Sequence, residues 1–333
     1  MRKLINIPKD IVNEVIDGIV AANKNTLQRI GDLTIIARKD IPVNNKVAIV
    51  TGGGSGHEPL FSEYVGEGMA DVSANGQIFA SPSGAIILEA IKAAEAGNGT
   101  LLVYNNYAGD VLNFEMAMEM ARDEGIKVEQ VIVNDDVASG PKDNRGNRRG
   151  TTSTPIILKI VGAASSTGMD LDSLKVLAQK SIDNSRSLGV SLSSCTLPET
   201  GMATFTLEEG KMEFGMGLHG EAGIKKVDIM TADDTAKILL DMLIEDLPFN
   251  KGDEVIALVN GYGSTTKMEM YIITRKIHLY LAEKGISIYS TEVGEFCTSQ
   301  EMAGISISLI KLDGELKKYY DMPCEAPGFK KKG

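Results

Sequence analysis

The sequence has no tryptophan, three cysteines and three histidines among 333 residues. Cys195, Cys297 and Cys324 are odd in number and show no CxxC spacing, which argues against both a zinc site and a disulfide framework. Reduced, partly buried thiols in a cytoplasmic protein are the expectation. So few histidines also leave no structural metal centre to expect. No apolar run approaches the ~20 residues that a membrane-spanning helix needs. Residues 1–8 lack the apolar core and cleavage site of a signal peptide. A basic stripe is missing too: 45 acidic against 34 basic residues leave a formal charge of −11, which argues against nucleic acid as a partner. The one cationic run, Lys330-Lys331-Lys332, reads as a solvated tail.

What the chain does have is glycine, 35 of them, set between alternating helical and strand-like patterns. That alternation predicts an α/β fold of two domains with mostly parallel or mixed sheets. Helices are expected over 8–24, 111–123, 155–188, 231–245 and 267–284, and strands over 46–50, 101–104, 131–133, 254–259 and 286–289. In the helix at 111–123, Val111, Leu112, Met116, Met118 and Ala121 are expected to fill the core. Residues 136–154 read as a long loop, and 189–222 as strand-rich and glycine-punctuated. The expected domains are residues 1–188 and 189–333.

Three segments carry candidate chemistry. Gly52-Gly53-Gly54-Ser55-Gly56-His57-Glu58-Pro59 follows a strand, and its glycines let backbone N–H groups converge on a polar or anionic ligand. No Gly-Lys-Ser/Thr closes it into a Walker A loop, and it lacks the dinucleotide spacing, which counts against a nicotinamide-dependent dehydrogenase. Its alternative is a tight strand-to-helix turn with a solvent-facing His57. Asn105-Asn106-Tyr107-Ala108-Gly109-Asp110 joins a strand end to a helix start, so Asp110 is either an N-cap or a general base. In Phe214-Gly215-Met216-Gly217-Leu218-His219-Gly220-Glu221 the glycines expose an imidazole suited to act as nucleophile, base or metal ligand. Asp135-Asp136 is a weak magnesium candidate. Arg148-Arg149 is either an anion clamp or a partner for nearby acids. His278 reads as a surface residue.

Taken in order, GGGSGHEP (52–59), NYAGDVLNFE (106–115), DDVAS (135–139), RRG (148–150) and MEFGMGLHGEAGI (212–224) resemble the K subunit of dihydroxyacetone kinase, over essentially the whole chain. The resemblance implies two α/β domains, a homodimer, and a ketone site in the N-terminal domain. It implies that His219 bonds covalently to the carbonyl of a short-chain ketose as a hemiaminal. Asp110 would then accept the proton of the attacking hydroxyl, His57 would act beside it, and Gly54, Ser55, Gly56 and Asn105 would line the substrate. It further implies that this chain binds no cofactor, and that a separate L-type subunit carries ADP or ATP with magnesium. In bacterial systems a phosphotransferase-system protein commonly supplies that subunit's phosphoryl group. Asn105 and Ala108 stand where many members have Lys and Thr, and the loop at 139–144 also departs from the common pattern. These departures point toward a related ketose such as erythrulose. A ketose-sensing transcriptional co-activator is the alternative of another class.

Overall fold

Pro8 fixes the start of a short 3-10 turn, Pro8–Asp10, which runs straight into helix α1 (Ile11–Ala22) with Ile11, Val12 and Ile16 as its buried stripe. In the computed structural model, which describes residues 3–332, α1 belongs to the first of two compact units. This unit takes residues 3–133, 154–181 and 316–332, and the second takes 134–153 and 182–315. The chain thus crosses between units several times, where the sequence suggested one boundary near 188. The loop expected at 136–154 folds with the second unit, and the chain end returns to the first.

The first unit is built on six strands, β1 (Leu27–Arg29), β2 (Ile35–Arg38), β3 (Ala48–Ser55), β4 (Val72–Ile78), β5 (Thr100–Asn105) and β6 (Val128–Val133), in the order β1-β2-β4-β3-β5-β6. The four strands from β4 to β6 run parallel, and β1 and β2 add antiparallel at one edge. Helices α2 (Gly84–Ala94), α3 (Ala108–Asp123), α4 (Thr154–Ser166) and α5 (Leu171–Asp183) follow in the chain. Val50, Val72, Leu102 and Tyr104 of the sheet pack against Ile87, Ile91, Phe114 and Ala117, and the Tyr104 and Phe114 rings stack 4.2 Å apart. The core face of α3 is therefore Phe114, Ala117 and Ala121, while Leu112 and Met116, expected inside, are exposed. The helix expected over 155–188 divides into α4 and α5. Gly168 turns the chain at φ 80°, Asp170 accepts the Ser173 N–H at 3.0 Å, and the last residues go to a strand.

The triglycine does not end β3 but lies within it. A β-carbon on Gly52 would sit 2.2 Å from the carbonyl oxygen of Ala74 on the neighbouring strand, and one on Gly53 would sit 2.3 Å from the Phe61 ring. These glycines are required by close packing before any ligand is considered. Gly52→Ala is accordingly expected to cost about 1–3 kcal/mol or more, as overpacking against backbone does, measured as a lowered urea midpoint.

Helix α4 is buried on all sides, including Lys159, whose Nζ donates to the Tyr319 carbonyl at 2.8 Å. Burial pulls this ammonium down to about 8, although the nearby Cys324 and Asp321 oppose it. The unfolded chain binds this proton more tightly than the folded one, so stability rises as pH climbs from about 8 towards the ordinary lysine value of 10.5. Lys159→Met is expected to lack that rise, as pH-dependent urea unfolding of the two proteins would show.

The second unit carries β7 (Ser185–Ser191), β8 (Lys211–Phe214), β9 (Lys225–Asp228), α6 (Ala232–Asp246), β10 (Glu254–Gly261), α7 (Lys267–Glu283), β11 (Ser287–Gly294) and β12 (Gly304–Leu312). Its sheet runs β11-β10-β12-β7-β8-β9, with β10–β11 its parallel pair and the remaining pairs antiparallel. Leu188, Val190, Val255, Ala257, Ile307 and Leu309 meet Leu239, Leu243, Ile273 and Ile277 in its core. Helix α8 (Gly314–Asp321) then leads to the hairpin β13 (Cys324–Ala326) and β14 (Phe329–Lys331), where the Glu325 N–H donates to Glu67 O at 2.8 Å. Lys330 and Lys331 of the lysine run thus belong to a hairpin strand and not to a tail, with Lys331 over the Tyr320 ring at 4.1 Å. The three cysteines are buried thiols and form no disulfide among the described residues. Among the described residues no helix is long and apolar enough to cross a membrane.

Candidate functional site

β3 and β5 are parallel neighbours with Gly52 opposite Tyr104, so Gly54–His57 and Asn105–Asp110 leave the first sheet at the same carboxyl edge. From there the chain goes to β4 on one side and from β5 to β6 on the other. Such a divergence is where open α/β sheets leave a ligand crevice. His57 is buried, not solvent-facing, and stacks on Phe79 with ring centroids 4.7 Å apart. Phe79 holds φ at 57°, a conformation that residues with a side chain seldom adopt.

The polar groups here are held largely from within. Ser55 Oγ donates to the Gly76 carbonyl at 2.7 Å. The Gly56 N–H, expected to face a ligand, donates to the Glu58 carboxylate at 3.0 and 3.1 Å. Burial pushes the Glu58 carboxyl up, and the Gly56 N–H resists it. A β-carbon on Gly54 would meet Ala80 N at 2.8 Å. Asn105 Oδ1 accepts from Thr154 Oγ1 at 2.6 Å, which fixes its amide against α4. Asp110 is the third residue of α3 and not its cap: Tyr107 is the N-cap, in extended backbone, so Ala108 and Gly109 already belong to the helix. A carboxylate in that first turn is favoured by the helix dipole.

His219 belongs to the second unit, on a reverse turn after β8 in which the Gly220 N–H donates to Gly217 O at 3.1 Å. Its backbone N–H donates to Glu221 Oε2 at 3.0 Å, and its Nδ1 lies 3.1 Å from Glu221 Oε1. Burial pushes the Glu221 carboxyl up, but the bond to His219, the His219 charge and Arg149 outweigh it and bring the group down to about 2. An ionised carboxylate only accepts, so Nδ1 is the donor and a neutral ring carries its in-plane lone pair on Nε2. Glu221 is not singled out by the sequence, although a carboxylate two residues from the histidine is the available signal.

The spacing of Gly215, Gly217 and Gly220 formally matches Gly-x-Gly-x-x-Gly. Here the segment joins two antiparallel strands instead of opening a helix, so it is no dinucleotide cradle. Asp135 and Asp136 are both engaged inside the second unit. Asp135 accepts the N–H groups of Thr151 at 2.6 Å and Ser153 at 2.9 Å, and Asp136 pairs with Arg149 at 2.8 Å. Arg148 makes a two-pronged pair with Asp246 at 2.9 and 2.6 Å. The arginine motif thus serves nearby acids. His278 is exposed, with Nε2 2.9 Å from Thr291 Oγ1.

The first unit sets a histidine and a carboxylate at the switch point of its parallel strands, and the second holds an imidazole whose Nδ1 faces a carboxylate, the residue types of a small-molecule enzyme. A family model described as the Dak1 domain matches residues 17–328. The dihydroxyacetone-binding subunit DhaK of PTS-dependent dihydroxyacetone kinase 2 from Listeria innocua is 45% identical over 331 residues, 99% of each chain. Among solved structures, the dihydroxyacetone kinase of C. freundii matches with a TM-score of 0.92 at 34% identity, over 99% of this chain and 60% of that one. The dihydroxyacetone kinase operon co-activator Dha-DhaQ matches with a TM-score of 0.87 at 31% identity, over 95% of this chain and 97% of that one. The chain belongs to the Dak1 family, with the dihydroxyacetone-binding subunits of dihydroxyacetone kinases.

Proposed function

We propose that this chain is the ketose-binding subunit of a dihydroxyacetone kinase, a phosphotransferase acting on an alcohol group. His219 Nε2 adds to the carbonyl carbon of dihydroxyacetone or a close short-chain ketose, and the carbonyl oxygen takes up one proton from solvent. The positive charge that bond formation places on the ring is balanced by Glu221. A polyol such as glycerol has no carbonyl to accept the bond, so covalent capture selects ketones where hydroxyl contacts alone would not. Asp110 accepts the proton of the terminal hydroxyl as that oxygen attacks the terminal phosphorus of ATP on the partner subunit, the bridging P–O bond to ADP breaks and ADP leaves, and His57 acts beside it in proton transfer. Gly54, Ser55, Gly56 and Asn105 shape the wall of the substrate site. A separate L-type subunit holds ADP or ATP with magnesium, a phosphotransferase-system protein supplies the phosphoryl group, and the chain works as a cytoplasmic homodimer.

The observation that carries this reading is the His219–Glu221 pair. It presents a nucleophilic nitrogen of fixed tautomer in a chain 45% identical to a dihydroxyacetone-binding subunit. The likeness to a co-activator along nearly its whole length favours a second reading, a sensor that captures the ketose without turning it over. The two separate in one assay. With an L-type subunit, magnesium nucleotide and a phosphoryl donor, the kinase subunit yields ketose phosphate from dihydroxyacetone or erythrulose. Capture without any phosphate ester would leave only the sensor.

A further inference from the structure

The Glu221 carboxylate beside the His219 ring lies within ion-pair distance of an arginine. Arg149 is largely buried, hydrogen-bonds to two acceptors and brings its charge within ion-pair distance of a third group. Nε donates to Asp136 Oδ2 at 2.9 Å, one terminal nitrogen donates to the Gly215 carbonyl at 2.8 Å, and the other lies 3.9 Å from Glu221 Oε2. Asp136 is in turn tied down, accepting the Ala138 N–H at 3.0 Å. Space at this junction is fully used. A β-carbon on Gly217 would fall 2.1 Å from Glu221 Oε2 and 2.2 Å from the Arg149 guanidinium. The arginine therefore ties three chain segments, those of Asp136, Gly215 and Glu221, into one rigid frame beside the imidazole.

We infer that Arg149 is a positioning residue for His219, acting through Glu221 to hold the ring as its Nδ1–H tautomer with Nε2 presented for bonding. A lysine cannot replace it, because a single ammonium does not match the planar fork that meets Asp136, Gly215 and Glu221 together. The inference builds on the proposed covalent role of His219, yet the frame can be read without any ketone.

The test is nitrogen NMR of the full-length protein labelled with 15N-histidine, at a pH where the ring is neutral. With three histidines in the chain, His57→Asn and His278→Asn assign the His219 signals. The wild type is expected to show the Nδ1–H form. Arg149→Gln, Arg149→Lys and Glu221→Gln are expected to move it towards a mixture with the Nε2–H form, and to slow dihydroxyacetone adduct formation on the order of 10–100-fold, as loss of an outer-shell orienting group does. Gly217→Ala, a wedge between Glu221 and Arg149, keeps the test open should the arginine variants not fold. An unchanged tautomer in folded Arg149→Gln or Gly217→Ala protein overturns the inference. A wild type whose tautomer depends on Arg149 but which captures no ketone supports the frame and overturns the covalent reading instead.

Discussion

Asp110→Asn is expected to lower ketose phosphate formation by about 10²- to 10⁴-fold, the usual contribution of a positioned general base, while capture of the ketone at His219 proceeds unchanged. The substitution keeps the shape of the side chain and its place in the first turn of α3, and removes only the ability to take a proton. The carboxylate is well placed for that task. It is buried at the carboxyl edge of the parallel sheet, where the helix dipole favours the ionised, proton-accepting form. Side by side, adduct formation and turnover separate the roles. Equal loss of both would make Asp110 a binding or structural residue, and full retention of turnover would remove it from the chemistry.

Asp246→Ala is expected to destabilise the protein by about 3–5 kcal/mol or more, the range found when one partner of a buried ion pair is removed. Asp246 takes both prongs of Arg148 and also accepts from Arg186 Nε, and each arginine side chain is only 2% exposed. Removal leaves two guanidinium groups in the interior with no carboxylate between them. Burial pushes the Asp246 carboxyl up, but Arg148 and Arg186 outweigh it and hold the group below its ordinary range. Its folded pKa lies below the unfolded value, so its stabilisation is present above the ordinary carboxylate pKa and fades as pH falls through the folded one. Chemical denaturation at neutral pH gives the size of the effect. A loss under 1 kcal/mol would show that water or a shifted acid replaces Asp246.

The parallel strands β3, β5 and β6 and the helices α1, α6 and α7 were legible because apolar runs and helical stripes of ordinary length announce them. Strand β2, the β4 strand with its Asn75-Gly76-Gln77 and the hairpin β13–β14 were passed over, being short or broken by polar residues and glycine. The extent of β3 was misread because glycine usually marks a turn. Here Ala74 and Phe61 press so close that only glycine fits an extended strand. Likewise the cap assignment of Asp110 rested on residue type, while the backbone at Tyr107 starts the helix three residues earlier. Of the candidate site, His57, Asp110 and His219 stand out in sequence as ionisable groups next to a glycine. The partners beside the two histidines do not: Glu221 and Phe79 are ordinary residue types whose roles come from how the chain folds around each ring.

The most direct test is reductive trapping of dihydroxyacetone on the protein, followed by peptide mapping of the bonded atom by mass spectrometry. The imidazole of residue 219 should carry the modification, absent from His219→Ala and from samples given glycerol. A label on any other side chain, or one that survives that substitution, would contradict the account at its root.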